Sequence, residues 1–277
     1  MSTSAHIIEH IVKTAVCSIG DIDSRVISQF VKYQNTTLNH KYTVFNEVAP
    51  QHLPRIQYFG LGIKGFANAD DGILANPYRP SNKDLDLYEP IPIRCVPIDE
   101  DLTSAERANY RMRVRKVING VPYFCYYLKK LMVVDNNVKI TQTNPITQQQ
   151  EPYTFSPSDL TPIPTDPSTS GEQSGEVFTA TVSFRVGLEY YGHEIFEAIN
   201  AIYGGDMRYA KISEIGLYSG EDQTVTGYDG NNVVMQYTEA IYTQLCYKCT
   251  SIGSAVPSAA HRGGRTFLLG DGNLIVL

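Results

Sequence analysis

The chain has 277 residues, enough to bury a substantial core as one large domain or two smaller ones. Its formal net charge of −6 argues against general attraction to nucleic acid or anionic membranes, because such binding needs a basic surface, although a local basic strip remains possible. The aromatic residues are 19 Tyr and 10 Phe with no Trp, and Tyr suits half-buried strands and protein interfaces.

The five cysteines are scattered and lie mostly in apolar runs, which indicates reduced structural thiols. The first residues show no basic region followed by an apolar core, so they do not resemble a signal peptide. No stretch is apolar for long enough to span a bilayer. We therefore expect a soluble protein made in a cytoplasm.

Residues 1–35 predict a helical hairpin. Apolar side chains recur at spacings of three and four between residues 4 and 17 and again between residues 23 and 31, with Gly20 between the two segments. Each helix has one apolar face, so the hairpin must lie on the β domain or on a neighbouring subunit.

Residues 36–143 are predicted to be rich in β-strand. Residues 55–63 have the composition of a strand. The run of prolines from Pro77 to Pro97 forbids regular helix and favours extended chain at a sheet edge or on the surface.

The clearest local signal is a β-hairpin. Residues 110–118 and 121–131 read as strands, and Asn119 and Gly120 between them are the residues preferred in a type I′ turn. Residues 135–137, Asp-Asn-Asn, predict the next turn.

A polar segment rich in Gln, Pro, Ser and Thr occupies residues 144–176. So long a polar segment is uncommon inside a compact domain and is usually a functional loop, a wrapping arm or a disordered insert. We place a soft boundary here.

Residues 177–277 predict a second β-rich part with one helix. A long alternating strand is expected at 177–188 and a helix at 193–203, which ends at two glycines. Residues 233–249 are ambiguous between strand and helix, with a slight preference for helix. Residues 266–277 predict a final hairpin around a Gly-Asp-Gly turn.

These elements predict an α+β fold that is mainly β. We expect an antiparallel β-sandwich-like core, an N-terminal helical hairpin and one internal helix. Residues 36–143 and 177–277 are expected to share one core.

Gly60, Gly62 and Gly65 match the G-x-G-x-x-G pattern of dinucleotide-binding sites. That use needs a helix beginning at the third glycine, because the pyrophosphate sits on the helix N-terminus. Here residues 66–72 have turn chemistry, and glycines within strands mark bulges or close backbone approach. We expect no cofactor at this stretch or elsewhere.

His6, Glu9 and His10 match H-x-x-E-H, in which two histidines could hold zinc and the glutamate could act as a base. The motif lies on a terminal helix, where no walls exclude water or fix a third ligand. A polar stripe beside an apolar face is therefore favoured, and a metal-dependent hydrolase is kept as an alternative.

Cys246 and Cys249 form a lone C-x-x-C. A redox site requires this motif at a helix N-terminus in a thioredoxin-like context, and a zinc ribbon requires a second pair. Neither is present, so the motif indicates structural thiols.

Arg111, Arg113 and Arg115 share one face of the predicted strand, because side chains alternate along it. Such a row could bind phosphate, but acidic neighbours could satisfy it within the chain or across an interface. We favour a subunit interface or a solvated face. Further interface candidates are Tyr78, Tyr88, Tyr218 and the C-terminal Leu277.

Two features resemble virion proteins of tailed bacteriophages. Residues 212–220, Ile-Ser-Glu-Ile-Gly-Leu-Tyr-Ser-Gly, are similar to the Thr-Glu-Ile-Gly-Leu-Tyr-Asp segment of phage tail, baseplate and fibre-attachment proteins. Four further stretches are similar in layout to phage neck and tail proteins: 58–65, 77–81, 87–92 and 107–113. None of these stretches carries catalytic residues.

The resemblance implies a structural subunit of the virion, in the baseplate, tail or neck, and not an enzyme. Its partners would be copies of itself and other virion proteins, with no membrane, nucleic acid or small-molecule substrate, and it would be assembled in the host cytoplasm. A Tyr-rich β domain with terminal arms suits a subunit that gains stability from symmetric neighbours. A carbohydrate- or receptor-binding β module with exposed Tyr is a further alternative.

Overall fold

The fold is described from a computed structural model, in which the described residues are 37–44, 54–68, 75–81, 84–144, 147–154 and 177–276. Within them the chain is mostly β, with antiparallel sheets and few helices, as the sequence predicts. The predicted hairpin at residues 1–35 and most of the polar segment, residues 155–176, lie outside the described part. No described helix is long and apolar enough to cross a membrane.

The strands of the first part of the chain are short to medium in length. They are β1 (Arg55–Gly62), β2 (Phe66–Asn68), β3 (Ala75–Pro77), β4 (Pro90–Ile91), β5 (Arg94–Pro97), β6 (Tyr110–Ile118), β7 (Val121–Lys130), β8 (Met132–Thr143) and β9 (Gln150–Pro152).

The strands of the second part are long. They are β10 (Val177–Tyr191), β11 (Lys211–Tyr228), β12 (Val234–Ala255) and β13 (Arg262–Val276). The α-helices of the described chain are α1 (Leu38–Tyr42), α2 (Ser104–Arg107) and α3 (Gly192–Tyr203), and short 3-10 turns occur at Ile98–Glu100 and Met207–Tyr209.

Two main sheets organise these strands. The larger has the order β12-β11-β1-β7-β5, with β4 also paired to β1 and β6 also paired to β7. The smaller has the order β13-β10-β8-β9, and β2 and β3 form a separate ribbon. Because β1 lies between β11 and β7, the seven-stranded sheet combines strands from before and after the polar segment.

The β6–β7 hairpin is confirmed. Asn119 and Gly120 both take positive φ, 51° and 84°, which a type I′ turn requires at both central positions. The predicted internal helix is confirmed as α3, which ends at Gly204 in the left-handed conformation with φ 61°.

Two predicted turns are wrong. Residues 135–137 lie inside β8, and the Gly-Asp-Gly at 270–272 lies inside β13. Both stretches pair with β10, residues 135–137 with 183–185 and residues 270–272 with 181–183. Pairing on both sides of one long central strand overrides local turn propensity.

The slight preference for helix at residues 233–249 is also wrong, since β12 runs through all but the first residue of that range. The ladder between β11 and β12 shifts register three times, once between Ser219 and Glu221, and Tyr242 takes φ 50°. Each shift interrupts the alternation by which a strand is recognised from sequence.

The larger buried cluster draws residues from both main sheets and from α3. It contains Phe59 and Leu217 of the seven-stranded sheet, Val186 and Leu188 of the four-stranded sheet, and Ile195 of α3. One core therefore joins residues from before and after the polar segment.

A second buried cluster covers the other side of the seven-stranded sheet. It contains Leu38 of α1 together with Tyr58, Met112 and Tyr218. Most of β1 and residues 212–221 of β11 are thus buried on both faces, which accounts for the apolar and small residues that dominate β1.

Candidate functional site

The glycine-rich stretch and the Ile-Gly-Leu-Tyr stretch are partners in one ladder. Across β1 and β11, Tyr58 faces Tyr218 and Gly60 faces Gly216. Strand β2 begins immediately after the third glycine of the G-x-G-x-x-G pattern, so the helix that a pyrophosphate site needs is not there. The three glycines of the pattern instead allow close packing in and after β1.

The glycines of this ladder make room for two tyrosine rings. A Cβ on Gly216 would lie 2.7 Å from the ring of Tyr218, and one on Gly60 would lie 3.1 Å from it. A Cβ on Gly220 would lie 2.9 Å from the ring of Tyr58. Glycine is therefore required here by close approach of side chains.

Glu214 anchors neighbouring segments to β11. Its buried carboxylate accepts hydrogen bonds from the backbone N–H groups of Lys64 at 2.9 Å, Tyr88 at 2.6 Å and Glu89 at 3.1 Å. A Cβ on Gly62 would lie 2.8 Å from this carboxylate. The end of β1 and the proline-rich segment are thus fixed by one side chain of the Ile-Gly-Leu-Tyr stretch.

Lys248 lies buried beside this anchor. Its Nζ is 3.3 Å from a carboxylate oxygen of Asp84 and donates to the backbone oxygen of Asp86 at 3.2 Å. The same atom lies 3.0 Å from the ring centroid of Tyr88. Burial lowers the pKa of Lys248, and the neighbouring carboxylates oppose that shift.

Asp86 ties α1 to β11. One oxygen accepts from the hydroxyl of Tyr218 at 2.6 Å and from the N–H of Leu87 at 2.8 Å. The other accepts from Lys41 at 2.6 Å and from the hydroxyl of Tyr42 at 3.2 Å. All four contacts are internal and leave this carboxylate no open position for a ligand.

Arg111 forms a bidentate ion pair with Asp222, with contacts of 2.6 and 3.1 Å. Tyr58 donates to the same carboxylate at 2.7 Å, and Lys130 lies 2.5 Å from it. Burial alone would raise the pKa of Asp222, but these partners outweigh it and lower the pKa to about 2.

Arg113 is held in a similar way by Asp101. Its guanidinium contacts that carboxylate at 2.7 Å, and Arg107 contacts it at 3.2 Å. The hydroxyl of Tyr126 donates to Asp101 at 2.6 Å, and the guanidinium carbon of Arg113 lies 3.4 Å from the ring centroid of Phe124.

Three of the predicted interface residues are buried within the chain. Arg111, Arg113 and Tyr218 each contact one of the aspartates just described, and their role in an interface stays a prediction. The sequence allowed an acidic partner within the chain but did not identify Asp222, because Asp222 is 111 residues from Arg111 and no local spacing signals the pair.

The other predicted interface residues have different positions. Arg115 is exposed on β6, and Tyr78 and Tyr88 are exposed and form an edge-to-face pair with centroids 5.2 Å apart. Their role in an interface stays a prediction. Leu277 lies outside the described residues.

The structure describes the C-x-x-C motif but not the H-x-x-E-H motif. His6, Glu9 and His10 lie outside the described residues. Cys246 and Cys249 are reduced thiols on β12, and the Sγ of Cys246 donates to the backbone oxygen of Gln244 at 3.4 Å. In the described ranges no three His, Cys, Asp or Glu side chains group as metal ligands.

Another thiol pair went unrecognised in the sequence. Cys95 of β5 and Cys125 of β7 stand opposite each other in the ladder, with Sγ atoms 3.2 Å apart. Their separation of 30 residues gives no motif. Their shared hydrogen bond and burial raise the pKa of Cys95, which keeps that thiol protonated.

A cleft of about 400 Å³ lies where α3, β7 and β10 meet. Lys129 in its wall is 2.7 Å from Glu194, which also accepts from the hydroxyl of Tyr110. Arg94 is 3.1 Å from Glu197 of α3. Lys129 and Arg94 are thus each paired with a carboxylate of α3 within the chain.

Large apolar side chains are exposed at two hairpin tips. Val117 and Val121 flank the β6–β7 turn, and Tyr228, Val233 and Val234 flank the β11–β12 turn. Clustered exposed apolar groups of this kind are typical of contact surfaces.

A third exposed apolar surface is the outer face of the four-stranded sheet, defined here by Met132, Val134 and Leu268. Each is more than half exposed. Gly187 lies beside Met132 and Val134, and a Cβ on Gly187 would lie 3.6 Å from the side chain of Met132. Arg185, which pairs with Leu268 in the β10–β13 ladder, is exposed on the same face, so the surface is apolar with a positive charge among the apolar groups.

Comparison with known proteins identifies a family whose function is unknown. The model of a family of unknown function, DUF7208, matches residues 1–264, so the chain belongs to that family. No curated protein and no solved structure matched the chain.

Proposed function

We propose that this member of the DUF7208 family is a structural subunit of a tailed-phage virion, in the baseplate, tail or neck. It acts by assembly with copies of itself and with other virion proteins, and it works without a small-molecule substrate. In this proposal the protein is assembled in the host cytoplasm and is then located in the virion.

The observation that carries the proposal is the contrast between interior and surface. The carboxylates and cations of the described chain that could do chemistry, such as Asp86, Asp222 and Lys248, are engaged in internal contacts. Apolar side chains are instead exposed at two hairpin tips and on the outer face. A surface of this kind favours association over catalysis.

The similarity of residues 212–220 to phage tail proteins supports the same proposal in a physical way. Glu214 holds three backbone N–H groups, Gly216 admits a ring, and Tyr218 binds a buried aspartate. Each conspicuous residue of the stretch positions the backbone. A segment with this role suits a scaffold whose outer loops make the contacts.

The finer architecture belongs to the proposal. We infer that the two main sheets form a sandwich-like core, supported by the buried cluster that both sheets share. Residues 1–35 would form a helical hairpin, and residues 144–176 would act as an arm. Within that arm, β9 pairs with β8.

The test is whether the protein is part of the particle. Phage particles purified from a lysate by density gradient should contain the protein as a stoichiometric component, measured by quantitative mass spectrometry. Particles made without its gene should lack part of the tail, baseplate or neck in electron micrographs. Absence of the protein from intact particles would refute the proposal.

A variant at a hairpin tip sharpens the test. Val117→Lys with Val121→Lys should lower incorporation into particles while leaving thermal unfolding unchanged, because both residues are exposed at a turn. Ala105→Lys with Asn109→Lys, at and just after α2, is the matched control, since both positions are exposed and it adds the same charge away from the hairpin tips, and it should be incorporated normally.

A further inference from the structure

One edge of the four-stranded sheet is open among the described residues. β13 is 15 residues long and pairs with β10 from Arg262 to Val276, and no described strand pairs with its other side. Long edge strands are usually protected by proline, a bulge or charge, because their free N–H and C=O groups attract another strand. β13 has neither proline nor a register shift, and the charged residues of its sequence, Arg262, Arg265 and Asp271, are of both signs.

The side chains near this edge have distinct faces. Phe267 and Leu269 lie on the core side, where Phe267 packs edge-to-face on Tyr247 with centroids 5.6 Å apart. Leu268 lies on the opposite side, 69% exposed, and belongs to the outer face. A further strand paired with this edge would continue the apolar outer face on one side of the sheet and the core on the other side.

We propose that β13 pairs antiparallel with β13 of a second copy, about a two-fold axis at Leu268, to join the two four-stranded sheets into one. The inference deepens the proposed function by naming the partner of one surface, and it rests on that function for the role in assembly. A two-fold contact of this kind uses the same patch on both copies.

Charge complementarity selects the register. With Leu268 opposite itself, Arg265 of each copy comes opposite position 271 of the other, which is an aspartate in the sequence. Arg265 is exposed and has no ion pair within the described chain. Opposite charges directly across a ladder are stabilising, and the two-fold axis forms this pair twice.

The neighbouring registers lose this match. A shift of one residue puts Gly272 opposite Arg265, and it also turns the outer face of one copy toward the core side of the other. The register at Leu268 keeps the exposed apolar faces of both copies on one side. Adjacent copies of Leu268 then shield each other from water.

Sedimentation of the purified full-length protein tests the dimer. At concentrations up to about 100 µM, where a Kd in the micromolar range is visible, the wild type should sediment at twice its chain mass of 30.9 kDa. Arg265→Asp alone and Asp271→Arg alone should each raise the dimer Kd about tenfold or more, because like charges then face each other. The double variant should restore the dimer.

A crosslink tests the register without depending on charge. Leu268→Cys should form an intermolecular disulfide under mild oxidation by oxidised glutathione, since the axis brings residue 268 opposite its own copy. Thr266→Cys is the control and should crosslink much more slowly, because its partner position would be 270. The wild type, with its native thiols, gives the background.

A monomeric wild type, a dimer insensitive to both charge reversals, or equal crosslinking at 266 and 268 would overturn the inference. Residues outside the described ranges, or a different protein, would then be the occupant of the edge. These results are separable from the virion test. A monomer found in particles would leave the proposed function standing, and a dimer absent from particles would remove the function alone.

Discussion

Tyr58 and Tyr218 face each other across the β1–β11 ladder, and their hydroxyls donate to two different aspartates. Tyr58 reaches Asp222 at 2.7 Å, and Tyr218 reaches Asp86 at 2.6 Å. Burial and the nearby carboxylates raise the pKa of both hydroxyls above its ordinary value, so both are protonated donors at neutral pH. One strand pair thereby connects α1, the proline-rich segment and β6.

Gly216→Ala should destabilise the protein by roughly 1 to 3 kcal/mol, because the new Cβ would overlap the ring of Tyr218 at 2.7 Å. Urea unfolding followed by circular dichroism measures this loss. Gly187→Ala is the control, since its Cβ meets nothing closer than 3.6 Å. Equal stabilities of the two variants would contradict the ring-on-glycine packing.

Tyr218→Phe should cost about 1 to 3 kcal/mol, because one oxygen of Asp86 loses its hydroxyl donor in a buried site. Tyr78→Phe at an exposed position should change the free energy of unfolding by less than about 0.5 kcal/mol. A double-mutant cycle with Asp86→Asn isolates the pair. A coupling energy near zero would show that the hydroxyl is satisfied elsewhere.

Acid should weaken the fold between pH about 4 and about 2 through Asp222. Its pKa falls from 3.8 in the unfolded chain to about 2 in the fold, so the folded state binds fewer protons across that window. The stabilisation is complete above the unfolded pKa and is lost as pH falls through the folded pKa. Because a quarter of the side chain is exposed, we expect roughly 1 to 2 kcal/mol.

Asp222→Asn tests that assignment. The variant should be less stable than the wild type at neutral pH, and the difference should shrink as pH approaches 2. The measurement is urea unfolding at a series of pH values at fixed ionic strength. A difference that stays constant across the window would mean that Asp222 titrates alike in the folded and unfolded chain.

Glu239→Gln should destabilise the protein by about 2 kcal/mol, because an amide offers one acceptor where the carboxylate offers two. The carboxylate accepts from the N–H groups of Met112 at 2.5 Å, Arg113 at 2.9 Å and Ala240 at 2.8 Å. With the amide in place, at least one buried N–H faces another donor.

The same carboxylate supports an unusual backbone conformation. Met112 has φ 58°, in the left-handed region, and its N–H and the next one both point to Glu239. Met112→Gly removes a buried side chain and should itself destabilise the protein, but its cost should be smaller when Glu239→Gln is already present than in the wild type, because glycine adopts the left-handed conformation without the support of Glu239. Additive effects of the two changes, measured by urea unfolding, would argue against this coupling.

The confirmed sequence predictions depend on the backbone preferences of individual residues and their near neighbours in the chain. The β6–β7 turn follows from Asn119 and Gly120, whose positive φ angles few other residues adopt. The end of α3 follows from Gly204 for the same reason. In both cases the deciding interactions lie within a few residues of each other.

The features that were not predicted from the sequence depend on pairing between residues that are far apart in the chain. The turn residues at 270–272 are extended because β10 pairs with them, and Arg111 is buried because Asp222 meets it across the sheet. The Cys95 and Cys125 thiols meet only through the β5–β7 register. None of these partners is marked by spacing, so a single sequence does not reveal them.

The position of β1 between strands from distant parts of the chain has a consequence for the timing of folding. Lys64 and its acceptor Glu214 are 150 residues apart, and synthesis proceeds at roughly 5 to 20 residues per second. The apolar strand β1 therefore waits roughly 10 to 30 s for its main partner to leave the ribosome. During that interval β4 and β7 can already pair with β1, but the edge of β1 that pairs with β11 stays open, and an open strand edge can pair with another chain.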